Sequence, residues 1–180
     1  AALSVAPAVA MVNGTPDEGA HPAVGMMGTR WGPNSLGWDE NGFRMACSGT
    51  LIAPRVFLTA AHCVRATNFR DPSGVIRLWF GDARWPEDGV STSGVVTGRG
   101  HIHPDYRADY RNDIAVVVLD DPYVLLDGDY GRLPTEDLLD AMKKAGTLKD
   151  TRFTLMGYGI TEMINGGGRP FHYYTSGREW

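Results

Sequence analysis

Two cysteines bracket two short apolar runs, and this arrangement restricts the fold more than any other feature of the sequence. Cys47 opens the segment CSGTLI, and Cys63 closes the segment FLTAAHC. Residues 46–52 and 56–61 are predicted as strands flanking a turn at residues 53–55. A disulfide between the cysteines would span 63 − 47 = 16 positions and hold the loop that carries His62. Such a bridge contributes about 3 kcal/mol in the chain-entropy model and implies an oxidising compartment.

The rest of the chain alternates short apolar segments with turns, which is typical of an all-β protein. Glycine (23 residues) and proline (11 residues) are spread along the whole chain, so turn signals recur throughout it. Further strands are predicted at residues 75–80, 90–97, 114–119 and 152–158, and another strand begins at residue 170.

One helix is predicted between two groups of strands. Thr135 is its expected N-cap, Gly146 its expected C-cap, and its apolar stripe consists of Leu138, Leu139 and Met142. The five or six strands before the helix can close a barrel, whereas the two strands after it are too few to close another. We therefore expect a complete unit over residues 11–126 and an incomplete one over residues 127–180.

Composition excludes two classes of partner. The 180 residues include 17 Lys and Arg against 21 Asp and Glu, for a net charge of -4, and no cluster of cations suits a nucleic acid. No apolar run approaches the roughly 20 residues that a membrane-spanning helix needs. The hydrophobic fraction of 43% is normal for a protein with a packed core. The sequence assigns no oligomeric state.

Two residues are candidates for acid–base chemistry. His62 lies directly before Cys63, and Asp113 stands at the head of the apolar segment that begins at Ile114. A histidine whose unperturbed pKa is about 6.5 can take up and return a proton near neutral pH. A shielded aspartate can hold the other ring nitrogen and stabilise the imidazolium. The alternatives are a core histidine beside a disulfide and an ordinary turn aspartate.

These motifs resemble the chymotrypsin/trypsin-like serine endopeptidases, and among them the bacterial secreted members. The resemblance is carried by TAAHC at residues 59–63 and DIA at 113–115, supported by MVNGT at 11–15, HPDY at 103–106 and GYG at 157–159. It implies two antiparallel β-barrels, with His62 as general base and Asp113 as its orienting partner. It also implies secretion and a polypeptide substrate cleaved through a Ser-His-Asp triad.

The nucleophilic serine of that triad is not recognisable. The resemblance places it last in chain order, in a Gly-Asp-Ser-Gly-Gly turn, and the sequence contains no such turn. Ser176 comes late enough but has the wrong neighbours, and Ser48 belongs to the first cysteine's strand. We expect a chain incomplete at its C-terminus and inactive alone.

The first residues carry a processing signal. Ala8-Val9-Ala10 fits the pattern before a signal-peptidase cut, so residues 1–10 are interpreted as a signal or propeptide remnant and Met11 as the mature N-terminus. A flexible Ala-rich tail is the alternative. Met11 departs from the Ile or Val usual in the family at this position, which puts activation by a freed N-terminal amine in doubt.

The sequence leaves an alternative function and a possible metal pair to be weighed. A non-catalytic secreted homologue that binds a partner is the alternative function, and retention of both His62 and Asp113 favours the enzyme. His101 and His103 could suggest a metal pair, but the sequence offers no third ligand nearby, so neither a metal nor a cofactor is expected.

Overall fold

The computed structural model describes residues 17, 19–30, 43–71, 73–80, 95–160 and 173–179. The remnant predicted at residues 1–10, the N-terminus predicted at Met11 and the beginning of the strand predicted at 90–97 lie outside the described residues.

Six strands form a closed antiparallel barrel. In chain order they are β1 (Val24–Arg30), β2 (Phe43–Ala53), β3 (Val56–Thr59), β4 (Val75–Trp79), β5 (Val95–Ile102) and β6 (Ala115–Leu119). Their order around the barrel is β1-β2-β3-β6-β5-β4, and β4 pairs with β1 to complete the ring. The closed barrel confirms the predicted fold class, although β1 was not predicted.

The barrel is filled by alternate residues of its strands. Ile76 and Leu78 of β4 and Ala115, Val117 and Leu119 of β6 are buried, as the two-residue side-chain period of a strand requires.

Phe57 of β3 lies fully buried in the core and meets Phe80 edge to face, with ring centroids 5.8 Å apart. A Cβ on Gly49 would overlap this ring and the Leu58 carbonyl, so the facing strand needs glycine there.

A helix that the sequence did not predict begins directly after β3. The strand predicted at residues 56–61 ends at Thr59, and α1 (Ala61–Arg70) follows. Ala61, Val64 and Thr67 are fully buried, and their spacing of three residues places them on one face of the helix. His62 therefore lies in the first turn of a helix, not on the expected loop.

The predicted helix between the strand groups is present but shorter. This helix, α2, spans Leu138–Ala145. It follows a 3-10 turn at Leu126–Gly128 and precedes another at Leu148–Asp150. Asp137 precedes it in the left-handed region, at φ 56°, so Thr135 is separated from the first turn and does not cap it. Gly146 ends the helix at φ 74° and donates its N–H to Lys143, as predicted.

The last two described strands form a separate sheet that touches the barrel. These strands, β7 (Thr154–Ile160) and β8 (Tyr173–Glu179), pair antiparallel with each other. The Ser48 hydroxyl of β2 accepts the N–H of Tyr158 at 2.8 Å and donates to its carbonyl at 3.2 Å. The Tyr158 ring also meets Trp79 of β4 edge to face at 5.9 Å. The predicted unit boundary at residue 126 stays a prediction.

Candidate active site

Strand pairing brings the ends of β3 and β6 together. Thr59, the last residue of β3, pairs with Ala115, the first residue of β6. Because the strands are antiparallel, the residues just after Thr59 lie beside those just before Ala115. His62 and Asp113 are 51 positions apart in sequence but meet at this rim of the barrel.

His62 is fixed from two sides. Ala61 before it is fully buried, and Cys63 after it is bonded to Cys47 of β2. The bridge confirms the predicted disulfide, and it ties the start of α1 to the strand that crosses beneath it. The His62 side chain itself is 47% exposed, so its ring remains open to solvent.

Asp113 holds His62 through both carboxylate oxygens. Oδ2 lies 2.7 Å from Nδ1 of the ring, and Oδ1 accepts the His62 backbone N–H at 2.8 Å. In the neutral imidazole, this contact places the proton on Nδ1 and leaves Nε2 as an acceptor. The two contacts fix both the tautomer and the orientation of the ring.

The pKa of Asp113 lies below its ordinary value. Partial burial raises the pKa, but hydrogen bonds from the ring and backbone of His62, the charge of that ring and a hydrogen bond from the Ala61 backbone together outweigh the burial. The carboxylate is therefore ionised at neutral pH and can stabilise an imidazolium beside it.

Tyr110 is a member of the site that the sequence analysis missed. Its ring meets the His62 ring edge to face, with centroids 5.7 Å apart, and its side chain stays largely exposed. Tyr110 and Asn112 both have left-handed backbone conformations, at φ 65° and 53°. Two such residues just before Asp113 bend the chain so that the aromatic ring turns towards His62. An asparagine here is a weak sequence signal for such a turn, and nothing in the sequence marks Tyr110 itself.

None of the described serine hydroxyls lies within hydrogen-bond distance of the His62 ring. Among the described residues, Nε2 contacts Cys63 Sγ at 3.3 Å. The Ser48 hydroxyl donates its proton to the Tyr158 carbonyl and accepts the Tyr158 N–H, so this hydroxyl already has partners on β7. Ser73 donates to Asp71 at 2.6 Å. Ser176 lies in β8, where its backbone pairs with Gly157.

One cluster among the described residues has the composition of a metal site. Cys47, His62 and Cys63 each offer a ligand atom, and these atoms lie within 4.8 Å of one another. The two sulfurs are bonded to each other, so neither is a free thiolate. His103, which the sequence analysis did not expect to bind a metal, accepts the Asp105 N–H through Nδ1 at 3.1 Å.

Comparison with solved structures defines the class of fold. A structure titled HL collagenase superposes with a TM-score of 0.56 and 22% identity, covering 92% of this chain and 62% of that one. The Drosophila Grass clip serine protease of the Toll pathway superposes with a TM-score of 0.56 and 20% identity, covering 91% and 46%. The architecture is that of the trypsin-like serine proteases.

Sequence comparison gives the family. The profile of the trypsin family matches residues 23–164, most of the chain, and the chain therefore belongs to the trypsin family. The vitellin-degrading protease of Bombyx mori is 30% identical over 127 residues, covering 69% of this chain and 42% of that protein. Serine protease gd of Drosophila melanogaster is 36% identical over 81 residues, covering 42% of this chain and 15% of the relative. The chain spans less than half the length of these relatives.

Proposed function

We propose that His62 and Asp113 are the acid–base half of a serine endopeptidase site. The hydrogen bond of 2.7 Å between them carries this proposal, because it fixes the ring with Nε2 as an acceptor on an exposed side chain. A general base needs this arrangement in order to take a proton from a hydroxyl nucleophile.

The proposed reaction is peptide-bond hydrolysis through an acyl-enzyme. Nε2 of His62 takes the proton of a serine as its oxygen attacks the scissile carbonyl, and the imidazolium then gives this proton to the leaving amine. Asp113 remains ionised and stabilises the imidazolium throughout. The substrate class is polypeptide.

We propose further that the 180-residue chain does not hydrolyse peptides by itself. The described residues place no serine hydroxyl at Nε2, and the sequence has no Gly-Asp-Ser-Gly-Gly turn. Secretion is supported by the disulfide, since such bridges persist in oxidising compartments. The relatives named above are animal proteins, so the bacterial subtype stays a prediction.

The test compares the gene's whole reading frame with the 180-residue chain. Each product is incubated with fluorogenic casein and with a fluorophosphonate probe that labels activated serines. Hydrolysis and labelling by the whole product, with neither in the chain, support the proposal.

His62→Ala and His101→Ala form a matched pair of variants, because both side chains are exposed but His62 contacts Asp113, whereas His101 pairs with Val116 of β6. We expect His62→Ala to abolish hydrolysis and His101→Ala to preserve it. Hydrolysis that survives His62→Ala would contradict the proposed role, and a folded whole product that never reacts would favour the binding-module alternative.

A further inference from the structure

The two sulfurs of the disulfide have unequal surroundings. Cys63 is 3% exposed, and its Sγ lies 3.3 Å from Nε2 of His62. Cys47 is only partly buried, on β2. On the far side of the imidazole, Nδ1 contacts Asp113 at 2.7 Å. A carboxylate, an imidazole and Cys63 Sγ thus form a continuous chain of contacts, and the closer contact of the bridge with the imidazole is made by Cys63, although Cys47 Sγ also lies within 4.8 Å of a ring nitrogen.

This asymmetry has a consequence for thiol–disulfide exchange. An attacking thiolate bonds to one sulfur and expels the other as a thiolate, at a rate that depends on access to the first and on stabilisation of the second. Access favours attack at Cys47, because it is the less buried of the two cysteines. When the His62 ring takes up a second proton, its Nε2–H faces Cys63 Sγ and the positive charge stabilises negative charge on the departing sulfur. Both factors select the same direction of cleavage.

We propose that the Cys47–Cys63 bridge is a site of S-thiolation by small monothiols, with Cys47 as the modified residue and Cys63 as the leaving group stabilised by His62. The S–S bond breaks, a bond forms between the reagent sulfur and Cys47, and Cys63 departs with the electron pair of the broken bond. The bridge reforms without an oxidant when the Cys63 thiolate attacks Cys47 Sγ of the mixed disulfide and expels the reagent thiolate. A second reagent thiolate can instead attack the reagent sulfur, which forms the reagent disulfide and expels Cys47 as a thiolate.

The exchange would act on the candidate active site directly. The released Cys63 thiolate would pair with protonated Nε2, the atom proposed to accept the serine proton, and α1 would lose its covalent tie to β2. The modified protein would therefore be inactive at this site until the bridge reforms. The exchange itself requires no peptidase activity, so it is tested in the 180-residue chain independently of the proposed function.

The first measurement maps the adduct. The folded chain is incubated with reduced glutathione without denaturant, quenched with acid, and mapped by peptide mass spectrometry. We expect glutathione on Cys47 and a free thiol at Cys63 as the first product. An adduct on Cys63, or cleavage no faster than global unfolding, would overturn the proposal.

The second measurement separates the contribution of His62 from access alone, which would also direct attack to Cys47. We expect His62→Gln to slow the first cleavage step about fivefold or more, because the leaving thiolate loses its cationic partner. His101→Gln serves as the matched exposed-histidine control and should leave the rate unchanged. Thermal melts establish that both variants are folded. An unchanged rate in folded His62→Gln would show that burial alone directs the exchange and would overturn the role of the imidazole.

Discussion

Removing the disulfide should cost the folded chain a calculable amount of stability. Cys47 and Cys63 are separated by 16 positions, so their bridge restricts a short loop of the unfolded chain. The chain-entropy relation gives about 10 cal/mol/K for a loop of this size, or about 3 kcal/mol at 25 °C. Replacing the buried Cys63 by alanine adds a packing loss of about 1 kcal/mol. We therefore expect Cys47→Ala/Cys63→Ala to lose about 4 kcal/mol in all.

Urea unfolding followed by tryptophan fluorescence measures this loss. With a denaturant slope of about 2 kcal/mol/M, the midpoint should fall by about 2 M. The wild-type chain with its bridge reduced retains both sulfurs, so it should show only the entropic part, about 3 kcal/mol. A loss below about 1 kcal/mol in both proteins would refute the reasoning, because the unfolded chain would then gain little freedom when the bridge is cut.

Three further outcomes are expected. The pKa of Asp113 is lower in the folded chain than in the unfolded one, so its contribution to stability is complete above the unfolded pKa and is lost as pH falls through the folded pKa. The difference in unfolding free energy between wild type and Asp113→Asn should therefore shrink as pH falls below about pH 4, as urea titrations would show; an unchanged difference down to acid unfolding would contradict this. Gly49→Val should lower the thermal midpoint by many degrees or prevent folding, since even a Cβ there overlaps the Leu58 carbonyl, and an unchanged midpoint in a scanning calorimeter would refute the packing. Ser73→Ala should cost about 1 kcal/mol at pH 7, because the Ser73 hydroxyl donates to the buried Asp71 carboxylate at 2.6 Å, and equal urea midpoints would count against that bond.

The sequence predicts a strand well where its own residues alternate between apolar and polar or form a continuous apolar run. Residues 75–80 and 114–119 alternate or run apolar, and they appear as β4 and β6. β1 escapes prediction because Gly25 and Gly28 look like turn residues. Gly25 is buried, and a Cβ there would overlap the rings of Phe57 and Phe80, so the barrel requires glycine at this position for packing.

α1 escapes prediction for a different reason. The helix buries Ala61, Cys63, Val64 and Thr67, and exposed His62 and Arg65 lie between them. The sequence shows no long apolar stripe with helical spacing here. The apolar pattern of the preceding strand extends through Ala60 and Ala61, so these residues were predicted as part of that strand. The helix follows from tertiary packing against the barrel and from the bridge at Cys63, both of which lie outside any local pattern.

The candidate site likewise contains residues that the sequence predicts and contacts that it does not. The family motifs singled out His62 and Asp113, and the structure brings them into contact, but their catalytic roles remain proposals. Tyr110 reaches His62 through two left-handed backbone conformations, which a single sequence signals only weakly. The contact between Nε2 and Cys63 Sγ depends on the turn of α1, and this helix was itself unpredicted.

The tautomer of His62 in the folded chain tests most directly whether Asp113 fixes the ring with Nε2 as the acceptor. Two-dimensional NMR that correlates ring protons with ring nitrogens identifies which nitrogen of the neutral imidazole carries the proton. We predict that the proton lies on Nδ1, facing Asp113, and that the preference for Nδ1 is lost in Asp113→Ala. A proton found on Nε2 in the wild-type chain would contradict the proposed role of His62 as general base, because Nε2 could not then accept a proton from a serine.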